Sequence, residues 1–272
     1  ADAQVGAERH RVAEEGWGAR LLAEQAADGS WGGGMYSPKW TSTTYTLLHL
    51  LWLGLPAGSP AALAGLERLW LWQGGWRQWE ACIESMLVRL TAAFGYPADR
   101  LDEVVADLLD QQQDDGGWNC VTRTDRSKHS SFHTSIQVLE ALQAYRTAGG
   151  PVPVAPAEQR GRDFFLAHRL YRSHRTGEVA VPASTRFPAF PEWHFDVLRG
   201  LEYFSGAGAP DDQLADGIGV LVAKRRRTGR WSTYAPYSGQ QWFRLEPSGE
   251  SRWTTVRALG VLQWWDAAGR PA

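Results

Sequence analysis

Four apolar segments of the chain open on residues that could bind a metal or move a proton. Aligned by their apolar pattern, Cys82-Ile-Glu-Ser-Met, His133-Thr-Ser-Ile-Gln, His194-Phe-Asp-Val-Leu and Trp253-Thr-Thr-Val-Arg fall in one register, and Ser42 or Thr43 takes that place in a fifth segment. The second of the two cysteines, Cys120, lies in the stretch leading to His133. Thiolate and imidazole are preferred zinc ligands, and a helix N-terminus favours the thiolate form of cysteine. Cys82, Cys120 and His133 would give zinc three ligands and leave the open position that catalysis needs, with His194 as a fourth ligand or an acid–base group. The plainer reading stays open beside it: a free cysteine is often a small buried hydrophobe, and a histidine at a helix start is often a cap.

The acids that could act near the same register are Glu80, Glu84, Glu178 and Asp196, and Glu84 and Asp196 each stand two residues into their segment. A carboxyl group walled by tryptophan rings has a raised pKa and can donate a proton. An acid in a first helical turn is equally what the helix dipole favours. Basic residues gather at Arg123, Arg126 and Lys128, and again at Arg169, Arg172, His174 and Arg175. They could hold a carboxylate or phosphate, or simply be solvated charge. The chain has 15 tryptophans in 272 residues. Trp40, Tyr45, Trp76, Trp118, Trp193, Trp231, Trp242 and Trp253 lie in or beside the segments above. Their faces would stabilise a cation or wall an apolar pocket, and core packing is the alternative for each.

The elements that must position these residues show as a repeat. Leu21-x3-Gln25-x3-Gly29-x-Trp31, Leu108-x3-Gln112-x3-Gly116-x-Trp118 and Leu221-x3-Arg225-x3-Gly229-x-Trp231 share one pattern, with degenerate copies around Gly75 and Gly177. Each copy reads as an amphipathic helix ended by a left-handed glycine, followed by a loop and a second, more apolar helix. First helices are expected over 7–26, 60–72, 100–112, 158–170 and 211–226, and second helices over 42–54, 82–95, 132–147, 194–205 and 253–266. The fold class is therefore all-α. The five visible hairpins would belong to a single (α/α) toroid of about five to six hairpins over residues 1–272, the second helices inside and the first outside. Inner helices running the same way would gather their N-terminal ends at one mouth. The stretch 231–252 has no helical period and reads as a long loop of the kind that covers sites.

The Q-x3-G-x-W copies resemble the repeats of squalene cyclases and prenyltransferase-type toroids. DGGWNC (115–120), SSFHT (130–134), TGEV (176–179), WHFDVLRGLEYF (193–204) and SRWTTVRAL (251–259) resemble short bacterial squalene-cyclase-like proteins. The resemblance implies the toroid and a cavity for a hydrophobic substrate. By analogy with prenyltransferases and lanthionine cyclases, it also implies zinc at the mouth, although the ligand spacing matches neither. The D-x-D-D acid motif of squalene cyclases is missing, as is D-D-x-x-D for metal-bound diphosphate. Squalene cyclase activity itself is therefore not implied.

Composition narrows the classes further. A net charge of −2 gives no reason to expect nucleic acid as a partner. No apolar run reaches the 18 residues of a spanning helix. The opening ADAQVGAERH lacks the apolar centre of a secretory leader, and two cysteines exclude a disulfide-dense scaffold. A cytoplasmic enzyme is expected, with oligomeric state unspecified. It would bind a hydrophobic, isoprenoid-like small molecule and use acid or Lewis-acid catalysis. Asp196, His194, Glu84 and Glu178 are its candidate catalytic residues, and Trp40, Tyr45, Trp76, Trp118, Trp193, Trp253 and Arg172 would bind substrate. The alternatives are a zinc enzyme activating a thiol or water on a non-terpene substrate, a non-catalytic lipid-binding module, and a polysaccharide-lyase-like toroid.

Overall fold

A computed structural model describes residues 2–72, 80–122, 129–208 and 210–270, with side chains from Gln4. Gly75, Trp76, Arg123, Arg126 and Lys128 lie outside the described residues. The chain is mostly helical. Among the described residues its α-helices are α1 (Asp2–Arg11), α2 (Gly16–Ala23), α3 (Thr43–Trp52), α4 (Pro60–Leu71), α5 (Ala81–Phe94), α6 (Leu101–Asp110), α7 (Phe132–Thr147), α8 (Ala155–Ala167), α9 (Val197–Ala207), α10 (Ala215–Ala223) and α11 (Arg252–Ala267). The one small sheet among the described residues pairs β1 (Trp231–Ser232) with β2 (Glu250–Ser251), antiparallel, with Trp231 opposite Ser251. It joins the two ends of the long loop read from the sequence. The expected helix over 7–26 is divided, because the chain turns between Arg11 and Gly16.

The chain forms two compact units. One comprises residues 1–110, 141–153 and 238–245, and the other 111–140, 154–237 and 246–272. In the first, α3 buries every residue from Thr43 to Leu50, whereas α4 buries only the stripe Ala62, Gly65, Leu66 and Leu69. This is the contrast expected between an all-round apolar helix and an amphipathic one. In the second unit α9 buries Val197 to Leu201 without a break, and α10 buries Gly217, Ile218 and Leu221.

The repeat has a physical basis that is the same in both units. The Gln25 carboxamide donates to the Gly29 carbonyl at 2.8 Å and to the Ala61 carbonyl of α4 at 2.9 Å. Gln112 does the same to Gly116 at 2.7 Å and to Ala157 of α8 at 2.9 Å. Trp31 and Trp118 are fully buried, and a glycine four residues after each carbonyl acceptor makes room for them. A Cβ on Gly65 would meet the Trp31 ring at 2.7 Å, and one on Gly161 the Trp118 ring at 2.9 Å. A hydroxyl of the following second helix takes each tryptophan's backbone N–H: Thr43 for Trp31, Ser135 for Trp118 and Thr255 for Trp231. Gly29, Gly116 and Gly229 have φ of 87°, 93° and 82°, the left-handed turn conformation expected of them.

Candidate functional site

The second unit concentrates ionisable and aromatic groups around the start of α9. Asp196 is the N-cap of that helix. Its Oδ1 accepts the Arg199 backbone N–H at 2.9 Å, which fixes the carboxyl group in place. The residue is fully buried, and Oδ2 has no hydrogen-bond partner among the described residues. Burial pushes its carboxyl up to about 6, against the pull of the Arg257 and Arg199 charges. Asp196 therefore combines a fixed carboxyl group, a bare oxygen and a proton held close to neutral pH.

Three aromatic rings form a stack near the start of α9. The His194 ring lies parallel to the Trp193 ring at 3.7 Å and to the Tyr237 ring at 3.4 Å, with interplanar angles of 22° and 9°. His133, in the first turn of α7, meets Trp193 edge-on at 5.1 Å and His194 at 5.6 Å. His133 Nδ1 accepts the Phe195 backbone N–H at 2.8 Å. That bond uses the Nδ1 lone pair and places the proton of the neutral ring on Nε2. Burial, with the Arg199 charge, pushes His133 down to about 4, so it stays neutral. Tyr237 is pushed up by burial and by the charge of Asp196, so its phenol keeps its proton.

Two ion pairs frame the group, the Arg199–Glu140 pair almost wholly buried and the Arg257–Glu202 pair half-buried. Arg199 donates to both Glu140 oxygens, at 2.9 and 2.6 Å, and through Nη1 to the carbonyls of Glu192 at 3.0 Å and His194 at 2.8 Å. It thereby pins the loop that carries Trp193 and His194. Glu192, itself buried, has a φ of 55°, unusual for a residue with a side chain. Arg257 of α11 donates to Glu202 at 2.8 and 2.6 Å. Sequence reading did not single out Glu140, Glu192, Arg199, Glu202, Tyr237 or Arg257. Glu140, Glu202 and Arg257 lie deep in helices, where an acid or base reads as surface charge.

The other expected site residues have other surroundings. Trp118 is core, packed as described above. Trp253 is half-buried, with the Phe190 ring edge-on at 6.3 Å, and Glu246 accepts its backbone N–H at 3.1 Å. Arg172 donates to Asp216 at 2.8 Å and to the Gly177 carbonyl at 2.9 Å. Glu178 is exposed in the turn after Gly177. In the first unit, Trp40 and Tyr45 are buried against each other edge-on at 4.8 Å, and Glu84 is fully buried in the first turn of α5.

Neither cysteine is in a disulfide. In the first unit the Cys82 thiol donates to the Glu80 carboxylate at 3.6 Å, and in the second Cys120 Sγ lies 2.9 Å from Thr134 Oγ1. Glu80, Cys82 and Cys120 each offer an atom that a metal ion accepts, a carboxylate oxygen or a sulfur, and those donor types are not specific to zinc. Among the described residues, no helix is long and apolar enough to cross a membrane.

No family model matches the chain, and no match was found among curated proteins or solved structures.

Proposed function

We propose that this chain is an enzyme of the helix-hairpin toroid kind that protonates a hydrophobic, uncharged, isoprenoid-like small molecule, with Asp196 as the acid. The observation that carries the reading is the buried Asp196 carboxyl with its bare Oδ2 and a pKa near 6. A carboxylic acid kept neutral by burial is the group such a reaction needs. In the step envisaged, the Asp196 O–H bond breaks as its proton passes to a carbon of a C=C bond, and the carbon left behind becomes a cation. The carboxylate that forms is balanced by Arg199 and Arg257, and the cation then loses a proton that returns to the Asp196 carboxylate, directly or through water, which restores the acid. Rings such as Trp193 and Tyr237 favour a cation over their faces. His133 and His194 hold the aromatic stack in place. The repeats support the toroid assignment, because glutamine, glycine and tryptophan do the same work in two separate copies.

The test is incubation of the purified chain with squalene and with shorter polyprenols, followed by mass spectrometry of the extracts. Conversion by the wild type, lost in Asp196→Asn, is expected. Conversion that survives Asp196→Asn, or none with any polyprene, overturns the reading.

The donor atoms of Glu80, Cys82 and Cys120 favour a second reading, a zinc enzyme activating a thiol or water. Its test is the zinc content of the wild type against Cys82→Ser and Cys120→Ser. Equal content in all three, or none in any, removes it.

A further inference from the structure

Helix α8 ends at Ala167, and the chain leaves it through Arg169 and Leu170, with φ of 45° and 72°. Neither is glycine, so surrounding packing must hold this turn. Leu170 is fully buried, and its side chain fills the space over Gly200 and Gly217. The anchored turn brings His168 and His174 together. His168 Nε2 lies 2.8 Å from His174 Nδ1, with the rings at 84° to each other.

The Phe164 carbonyl oxygen lies 2.7 Å from His168 Nδ1. A carbonyl only accepts, so Nδ1 carries the proton and the neutral ring presents a lone pair at Nε2. A backbone carbonyl behind one ring nitrogen, with the other nitrogen turned towards the ligand, is how proteins orient a metal-binding histidine. Burial lowers the pKa of His168, which keeps that lone pair available. The Phe132 and Phe164 rings pack against the imidazole at 5.1 and 4.5 Å and fix its orientation. His174 is exposed and can turn.

We propose that His168 Nε2 and His174 Nδ1 form a binding site for a transition-metal cation that favours imidazole, such as Ni²⁺, Cu²⁺ or Zn²⁺, with water completing its coordination. An ion about 2.0–2.1 Å from each nitrogen at a tetrahedral angle sets the two nitrogens about 3.4 Å apart. His174 reaches that spacing by a shift of about 0.6 Å, small for an exposed side chain. The surrounding charge permits a cation. The Asp115 charge acts on His168, Arg169 and Arg172 face Asp216 at 3.8 and 2.8 Å, and Arg175, next to His174 in the chain, is exposed to solvent. For the ion to bind, His174 moves its proton from Nδ1 to Nε2 by exchange with water, so that one N–H···N bond gives way to two coordinate bonds that fasten the turn to the end of α8. This site is independent of the reading of Asp196.

The probe is NiCl2, titrated calorimetrically into the chelator-stripped full chain and into its Cys82→Ser/Cys120→Ser form, so that binding at thiolates is separated. One equivalent should bind in both. His174→Ala should weaken it by at least about tenfold, as should His168→Gln. His174 is exposed, so its substitution leaves the fold intact, and a circular dichroism melt without metal checks this. The same ion should raise Tm in the wild type and not in His174→Ala. Wild-type affinity in His174→Ala, binding lost with the cysteines instead, or no binding at all would each overturn the proposal.

Discussion

Gln112 donates through Nε2 to the Ala157 carbonyl at 2.9 Å, 45 residues along the chain, while the same amide group closes the turn at Gly116. A single side chain thus ends one helix and ties the next first helix to it. Replacing Gln112 by Leu leaves two backbone carbonyls without this donor and should cost about 1–3 kcal/mol. Arg225, its counterpart in the third copy, donates to the Gly229 carbonyl at 3.2 Å in an exposed setting, with its guanidinium 5.7 Å from the centre of the Trp231 ring. Arg225→Ala should therefore change stability by no more than about 0.5 kcal/mol. Urea unfolding of both variants beside the wild type measures the contrast, and equal losses would refute the bridging role of Gln112.

Gly116 should be less replaceable than other left-handed glycines. Its φ is 93°, and a Cβ there would lie 2.4 Å from the Arg160 carbonyl oxygen. Gly149 has a φ of 83° with open space around it. Gly149→Ala should cost about 1 kcal/mol for conformation alone. Gly116→Val adds a backbone clash and should cost about 3 kcal/mol. A Gly116→Val chain that melts with the wild type would contradict the packing of this turn against α8.

The helices were legible because the signals for them are local. The apolar run 47–55 and the glycine after each first helix place α3 and the turns. The expected second helix at 132–147 coincides with α7, and 253–266 differs from α11 by one residue at each end. The turn between α1 and α2 was missed because no proline or hydrophobic gap marks it. Of the site, Asp196, His194, Trp193 and His133 were legible as residue types at the start of an apolar helix. Tyr237 was not, since a loop without period says nothing of where its rings fold back. Arg199 and Glu140 pair across 59 residues, a distance no periodicity reports.

His133 should titrate far below an ordinary histidine. Its folded pKa is near 4 because burial and Arg199 oppose the charged ring, while in the unfolded chain it returns to about 6.5. Between those values the unfolded state binds the proton and the folded state does not. This group's contribution to stability is therefore present above about pH 6.5 and is lost as pH falls towards 4. An NMR titration following the ring C2–H should show no change between pH 8 and 5. A midpoint near 6.5 would mean that the Phe195 bond and the burial do not hold in solution.

Asp196 should contribute with the opposite sign over nearly the same range. Its folded pKa is near 6, raised by burial, against 3.8 when free. At pH 5 the folded chain keeps this proton and the unfolded chain has lost it, so stability falls as pH rises through the interval. The full cost at pH 7 is up to about 3 kcal/mol, since one pKa unit corresponds to about 1.4 kcal/mol. Asp196→Asn removes the titration and keeps a side-chain oxygen to accept the Arg199 N–H as N-cap. The variant should therefore gain on the wild type as pH is raised from 4 to 7, with His133 common to both and cancelling in the comparison. Urea unfolding of the two chains at pH 4, 5, 6 and 7 gives the difference directly. A pH-independent difference would mean that Asp196 is already ionised at pH 4. It would then have no proton to give near neutral pH, and the acid chemistry proposed for this site would fail with it.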